Sequence, residues 1–223
     1  MNLQNWLTAA VIVLALGGSS FADPIPIANH SFEEPDVTSA GQTWSAVNTN
    51  WGDDAGTSND QFVEYIPGFA ADGLQHIGIF DQDESGAVAP LFQNLTATYA
   101  PNTTYTLTVA VGHRLNFVNP GNEAIFRLAD ATSGMILAES IADASFSPAN
   151  VFQDWSLTYT TGGSGDPIGN SIRIELTGPG GNNSRAHFDN IRLDATTIPE
   201  PTSIWLTILG LGLTWVVVCR RLA

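Results

Sequence analysis

Alternation between apolar and polar residues is the feature that most constrains how this chain can fold. From residue 104 to residue 111, threonine alternates with large apolar side chains (TYTLTVAV), which is the two-residue period of a half-buried strand. Similar segments recur between residues 23 and 197, where no helical periodicity lasts for three turns. Strands are therefore predicted at residues 26–32, 74–80, 91–98, 105–111, 124–130, 135–141, 155–159, 172–176 and 187–194.

Short strands joined by loops of mixed length predict an all-β fold, a jelly-roll β-sandwich that occupies residues 23–197. A domain of this size buries roughly 70% of the surface that its unfolded chain exposes. We therefore expect a core that needs neither disulfide bonds nor helices. The segments 48–60, 162–169 and 178–183 are rich in Gly, Asn and Asp and are predicted to be loops.

The charge balance argues against one class of partner. The chain carries 22 acidic residues against seven arginines and no lysine, which gives a net charge of −15. A nucleic-acid-binding protein neutralises phosphates with a basic surface, so nucleic acid is not expected as a partner. The single cysteine, Cys219, excludes an intramolecular disulfide bond and a cysteine-based zinc site.

The first 22 residues have the pattern of a signal peptide. Residues 7–16 (LTAAVIVLAL) form an apolar run that is too short to span a membrane. Ser20 and Ala22 then supply small side chains at the −3 and −1 positions of a cleavage site before Asp23. The amino-terminal segment lacks the usual Lys or Arg, and a buried core helix is the alternative interpretation.

The chain ends in a predicted transmembrane helix at about residues 203–219 (SIWLTILGLGLTWVVVC), which carries no charge. Arg220 and Arg221 follow directly, and basic residues beside a span stay in the cytoplasm. Together with the signal peptide, this predicts a single-pass inner-membrane protein with its body outside and its C-terminus in the cytoplasm. A buried C-terminal helix is the alternative.

Pro199, Glu200 and Pro201 stand just before this helix. The order of Pro-Glu-Pro, an apolar span and an arginine pair at the end of the chain resembles the PEP-CTERM sorting signal of Gram-negative bacteria. The resemblance covers residues 198–223 and implies an exosortase as partner, which would cleave near Pro-Glu-Pro. It further implies delivery to the cell surface or extracellular matrix, and an association with exopolysaccharide and biofilm.

Three segments of the body carry a second resemblance: residues 25–35 (IPIANHSFEEP), 101–107 (PNTTYTL) and 188–193 (FDNIRL). They are similar to strands of galactose-binding-like and carbohydrate-binding-module jelly rolls, including the Stig cyclases. Those cyclases are calcium-dependent enzymes of indole-alkaloid biosynthesis that protonate their substrate with an acid in an apolar pocket. Where that acid is expected, just before Phe188, this chain has His187. The resemblance implies the fold more strongly than the reaction.

The same resemblance implies a structural Ca²⁺ ion held by Glu33 and Asp189, which belong to the first and last strands. The chemistry fits, because Ca²⁺ prefers six to eight oxygen ligands and two carboxylates offset its charge. Asp189 is expected to point inward because it shares a strand face with Ile191 and Leu193. The alternative is that Glu33 is solvated and Asp189 binds nearby backbone amides.

Several residues are of the types that bind sugars, which are held by aromatic stacking and planar polar groups. Their alternative role is to close the ends of the sandwich core. Trp44, Phe69 and Phe117 lie in or beside loops. The candidate ligand-binding residues are Trp51, Tyr65, His113, Arg114 and His187.

These patterns together predict an exported, exosortase-sorted surface or matrix protein with a calcium-stabilised sandwich and carbohydrate as its ligand. A matrix protein without a ligand is equally open, and a calcium-dependent enzyme of the cyclase or hydrolase kind is the alternative. No catalytic residue is assigned, because no Gly-x-Ser-x-Gly motif is present and the four histidines show no distinctive spacing. A deep pocket with one shielded acid would favour the enzyme, and a shallow aromatic groove the lectin.

Overall fold

The computed structural model describes residues 22–46, 48–53, 60–80, 88–114, 123–143, 150–165, 167–178 and 185–198. Across these ranges the chain forms two antiparallel sheets and no α-helix, which confirms the predicted all-β sandwich. Within these ranges, no helix is long and apolar enough to cross a membrane. The predicted signal peptide, sorting motif and C-terminal helix lie outside these ranges and stay predictions.

Twelve strands make up the described structure, all paired antiparallel. They are β1 (Asp23–Ile25), β2 (Trp44–Ser45), β3 (Gly52–Asp53), β4 (Gln61–Tyr65), β5 (Gln75–Phe80), β6 (Leu91–Thr98), β7 (Thr103–His113), β8 (Glu123–Asp130), β9 (Ile136–Asp143), β10 (Val151–Thr160), β11 (Ser171–Thr177) and β12 (Arg185–Thr197).

The strands form a seven-stranded and a five-stranded sheet. The seven-stranded sheet runs β10-β7-β12-β5-β4-β2, with β1 also paired to β12. The five-stranded sheet runs β3-β6-β11-β8-β9. Strands β12 and β7 pack against β8, so the core lies between the middles of the two sheets.

The alternation read from the sequence explains this core. In β7, Leu107, Val109 and Val111 are fully buried and face the other sheet, as predicted. In β11, Ile172 and Ile174 meet them from the opposite side. Burying a side chain of this size contributes roughly 1.5–3 kcal/mol, which is how an all-β domain without disulfide bonds becomes stable.

A bulge divides β12 into two halves with different partners. Residues up to Phe188 pair with β5, and residues from Leu193 onward pair with β1. The register with β7 shifts between Asp189 and Arg192, and Asn190 has a positive φ of 46°. A non-glycine residue with positive φ is uncommon, and asparagine tolerates it better than most. The bulge breaks the alternation that the sequence predicted through this strand.

Some strand predictions were wrong. Residues 26–32 form no strand, since 28–31 make a turn, and the first strand is the shorter β1. Strand β4, with the short strands β2 and β3, was not predicted at all. These strands are only two to five residues long, so they present little or no period to detect.

We expect Asn190→Val to destabilise the fold by about 1–3 kcal/mol, because a β-branched residue is strained at positive φ. Asn190→Gly provides the matched control and should leave stability within about 1 kcal/mol of the starting protein. Urea unfolding followed by tryptophan fluorescence measures both. Equal losses in the two variants would show that the bulge does not need this backbone conformation.

Candidate functional site

A row of five residues crosses the outer face of the seven-stranded sheet, the face turned away from the core. From β10 to β4 the paired residues are Phe152, Gly112, His187, Gly78 and Phe62. His187 therefore has a glycine on each side. A Cβ atom at Gly78 would lie 3.1 Å from Glu64 Oε2, so the missing side chain lets the carboxylate come close to the sheet.

Glu64 on β4, His76 on β5 and His187 on β12 meet at this point and are called here the Glu64 cluster. Glu64 Oε2 lies 3.4 Å from His76 Nε2 and 3.8 Å from His187 Nδ1. Both histidine side chains are at most 1% exposed, and that of Glu64 is 12% exposed. Within the described chain, neither ring nitrogen of either histidine has a hydrogen-bond partner.

Two arginines approach the same carboxylate from the more exposed side. Arg185 NH1 lies 3.2 Å from Glu64 Oε1, and Arg114 NH1 lies 3.6 Å from Glu64 Oε2. Arg185 also lies over the ring of Phe80, 4.2 Å from its centroid. The site thus combines one carboxylate, two guanidinium groups and two imidazoles.

Phenylalanine rings cover the histidines. The Phe69 ring meets His76 and His187 edge-on, with centroids 5.1 and 5.4 Å apart. Phe152 contacts Phe69 at 4.7 Å and His76 at 5.7 Å. Gly112 makes room for both rings, because a Cβ there would lie 2.7 Å from Phe152 and 2.9 Å from Phe69.

Phe152 also lines an open groove of about 680 Å³. Ala110, Asp154 and Asn190 contribute to the same groove. Phe152 is therefore shared between the groove and the cover of the Glu64 cluster. A ligand in the groove would rest on a ring that also contacts a buried histidine.

The surroundings set the protonation of the cluster. Burial works against ionisation of Glu64, but His76 and the two arginines outweigh it and hold the pKa of Glu64 below its ordinary value. Burial, with the positive charge of the neighbouring side chains, lowers the pKa of His187 well below its ordinary value. At neutral pH the site holds an ionised carboxylate and a neutral His187.

Comparison with known proteins assigns the chain to a family. Residues 23–194 match the HpiC1-like family, described as HpiC1 cyclase. The chain belongs to the HpiC1-like cyclase family. No curated protein matches the sequence.

Solved structures of cyclases agree with this assignment. The Stig cyclase Fisc from Fischerella sp. TAU, in complex with (3Z)-3-(1-methyl-2-pyrrolidinylidene)-3H-indole, is 25% identical over 80% of this chain and 100% of its own, with a TM-score of 0.67. A cyclase from Fischerella sp. TAU in complex with 4-(1H-indol-3-yl)butan-2-one is 25% identical over 79% and 100%, with a TM-score of 0.66.

A carbohydrate-binding module is a more remote neighbour. The xylan-binding domain CBM22-1 from Paenibacillus barcinonensis Xyn10C is 14% identical over 79% of this chain and 97% of its own, with a TM-score of 0.48. At that level the similarity says nothing about the ligand of this member of the cyclase family.

Asp189 lies on the same side of β12 as His187. Its carboxylate accepts hydrogen bonds from a loop. Its Oδ2 accepts hydrogen bonds from the amides of Ala71 and Asp72 at 2.6 and 3.0 Å, and its Oδ1 accepts one from Asn190 at 2.7 Å. The side chain is fully buried. Its burial comes from this loop and not, as predicted, from sharing a face with Ile191 and Leu193, because the bulge intervenes.

Glu33 binds the next part of the same loop. Its Oε1 accepts hydrogen bonds from the amides of Leu74 and Gln75, each at 2.8 Å. The two carboxylates predicted to hold calcium thus bind amides within residues 71–75. The calcium assignment itself stays a prediction.

The structure separates the other predicted ligand residues. His187 and Arg114 come together at the Glu64 cluster. Trp51 is 6% exposed and lies against Phe32 in the core, where its indole N–H donates to the Asn29 carbonyl oxygen. Tyr65 is half-buried against the core.

For the remaining ligand candidates, the His113 side chain and Phe117 lie outside the described parts of the structure. Ligand roles for Trp51, Tyr65 and His113 stay predictions.

Sequence reasoning missed Glu64 and His76. Glu64 was one of 22 acidic residues and sat in a strand that was not predicted. The run Phe-Val-Glu-Tyr at residues 62–65, with three residues typical of strands, could have revealed β4. Its register against His76 depends on long-range pairing, which no local pattern contains.

We expect the pH dependence of stability to depend on Asp189. Burial raises the pKa of Asp189 to about 7 from 3.8, so the folded state favours the protonated acid. The free energy of unfolding should therefore fall by up to about 4 kcal/mol as pH rises from about 4 to about 7, and this contribution should stay constant above that range.

Urea unfolding between pH 4.5 and pH 8 in EDTA measures this dependence. Asp189→Asn should show a shallower decline than the starting protein, because it carries no titrating group at this position. Parallel declines in the two proteins would assign the pH dependence to other groups.

Proposed function

We propose that the protein binds a small organic ligand on the outer face of its seven-stranded sheet, where the groove beside Phe152 meets the Glu64 cluster. The observation that carries the proposal is a buried polar group of one carboxylate and two histidines beneath aromatic rings. Ligand sites typically combine apolar walls with a few convergent polar groups. The expected mark of an enzyme was a deep pocket with one shielded acid; the acid is largely shielded here, whereas the groove is open.

Relatives in the same family indicate the chemical class of the ligand. Two cyclases at 25% identity were solved with indole compounds bound. An indole is a flat aromatic ring with one N–H donor, which suits a site with Phe152 as a wall and an ionised carboxylate nearby. We therefore propose an indole-like or similar aromatic compound as the ligand.

The acid catalysis implied by the resemblance is not carried over to this chain. The expected acid before Phe188 is His187, which burial keeps neutral by lowering its pKa. Glu64 is ionised, so it accepts a proton more readily than it donates one. We propose that this chain shares ligand binding with the cyclases. Its polar cluster differs in chemistry from an acid in an apolar pocket.

We expect 4-(1H-indol-3-yl)butan-2-one, the compound bound to one of the relatives, to bind this protein and to bind Phe152→Ala about tenfold more weakly. The loss follows from the removed aromatic surface, since each 1.4 kcal/mol changes the affinity tenfold. Titration calorimetry measures both affinities.

Phe92→Ala is the matched control for that titration, because Phe92 lies in the other sheet, where it pairs with Gly52. It should bind the compound like the starting protein. Absence of binding by a folded starting protein, or equal weakening in both variants, would contradict the ligand site.

A glycan ligand is the second candidate, and an exposed aromatic residue favours it. Trp44 is 55% exposed at the edge of the seven-stranded sheet. It meets Phe62 edge-on at 5.2 Å, and Phe62 stacks on Phe80 at 5.1 Å. An exposed indole supported by further rings suits the apolar face of a sugar.

The predictions on location and metal extend this second candidate. We propose an exported protein, sorted by an exosortase to the cell surface or matrix, where exopolysaccharide would be the glycan at hand. We further propose that Ca²⁺ binds Glu33 and Asp189. Support comes from their joint hold on residues 71–75 and from the raised pKa of Asp189, since a cation would stabilise its ionised form.

A glycan array, run with calcium and again with EDTA, tests this candidate. We expect binding to one class of sugar that EDTA weakens and that Trp44→Ala removes. Leu74→Ala is the matched control, because Leu74 is an equally exposed apolar residue at 55%. If the folded protein bound no glycan in either condition, the proposed lectin function would be contradicted. Binding that EDTA leaves unchanged would contradict a role for calcium.

A further inference from the structure

We propose that Glu64, His76 and His187 bind a divalent transition-metal ion of the zinc class, with at least one coordination position left for a ligand. The proposal rests on the proposed function in one respect: the ion would lie in the polar part of the proposed ligand site. Metal binding can be measured without any organic ligand, so the two proposals can fail separately.

The distances between the donor atoms fit one central ion. Zinc holds nitrogen and oxygen ligands at about 2.0–2.2 Å, so tetrahedral ligand atoms lie about 3.4 Å apart. Glu64 Oε2 lies 3.4 Å from His76 Nε2 and 3.8 Å from His187 Nδ1, and one donor atom from each of the three residues lies within 4.8 Å of the others. Small side-chain rotations would bring three donors into the first coordination shell.

Burial gives an independent reason to expect a ligand here. His76 and His187 are at most 1% exposed, yet their ring nitrogens and Glu64 Oε2 have no hydrogen-bond partner in the described part of the chain. Leaving buried polar atoms unpaired costs about 1–3 kcal/mol each. A metal ion would satisfy one atom of each residue at once.

The donor set selects the kind of ion. Two imidazoles and one carboxylate suit zinc and similar ions, and this combination leaves an open position in catalytic zinc sites. Ca²⁺ and Mg²⁺ prefer oxygen ligands only. The site therefore differs in chemistry from the calcium site proposed at Glu33 and Asp189.

The arginines define what the open position would accept. Arg114 and Arg185 lie within 3.6 Å of the Glu64 carboxylate and compete with the ion for its charge. Their charge lowers the affinity for a cation but favours an anionic group bound to it. We therefore expect the open position to take an anion, such as hydroxide or a carboxylate of the ligand.

The test uses the 223-residue chain without a histidine tag, with Cys219→Ala introduced to remove its only thiol. After chelation and dialysis, we expect it to take up one Zn²⁺ ion per chain in competition with a chromophoric chelator. His187→Ala and His76→Ala should each weaken zinc binding by more than about 100-fold, which exceeds the usual effect of a residue outside the first shell. Mg²⁺ should not compete.

His30→Ala is the matched control, because the His30 side chain is exposed and, among the described residues, its recorded hydrogen bond is made by its backbone carbonyl oxygen, which accepts from the Ile191 amide. It should bind zinc like the starting protein. Arg114→Gln should tighten zinc binding, a change that a purely structural ion pair with Glu64 would not produce.

Cobalt removes the dependence on variants that fold poorly. Co²⁺ added to the starting chain should give the visible absorption bands of a four- or five-coordinate ion with nitrogen ligands. Absence of these bands together with absence of stoichiometric zinc uptake would overturn the metal site, as would equal loss of zinc binding in His30→Ala. Indole-ketone binding by metal-stripped protein would then show that the ligand site stands without the metal.

Discussion

The outer face of the seven-stranded sheet depends on the two glycines that flank His187. Gly78 and Gly112 pair with it from β5 and β7. A side chain at Gly112 would collide with the covering rings, and one at Gly78 would press closely on the Glu64 carboxylate. Strand interiors normally avoid glycine, because it loses more entropy and packs nothing. Here the missing side chains allow Glu64, His187 and the covering rings of Phe69 and Phe152 to occupy the same small region. The stability that the two glycines cost the strands is offset by the packing that their missing side chains permit.

The sequence predicted the parts of the fold that repeat a local pattern. Strand β6 was predicted at its observed bounds, and β7 was predicted with two residues missing at each end, because both alternate over many residues. Strand β4 was missed because five residues followed by a turn give little periodicity. The bulge at Asn190 was missed for a different reason: its register is set by β7 and β1, which lie far away along the chain.

The same division applies to the site. His187 and Arg114 could be selected as polar residues at the start and end of predicted strands, and the structure brings both to one carboxylate. Glu64 and His76 could not be selected, because they meet His187 only through the pairing of β4 with β5 and of β5 with β12. Family membership carries the fold across 25% identity, but a shared fold does not by itself carry over the reaction.

The pKa values of two carboxylates on this face, Asp189 and Glu64, shift in opposite directions. Asp189 is surrounded by backbone amides, and burial outweighs them, so its pKa rises to about 7. Glu64 is surrounded by two arginines and a histidine, which outweigh burial, so its pKa falls. The amides of Asp189 satisfy its oxygens, whereas Glu64 Oε2 and four histidine nitrogens have no hydrogen bond among the described residues. Asp189 and His187 stand two residues apart on β12, and the fold satisfies the carboxylate while both imidazole nitrogens lack a hydrogen bond among the described residues. Unpaired buried groups cost stability, which a ligand bound to them would restore, so His187 is available for a ligand.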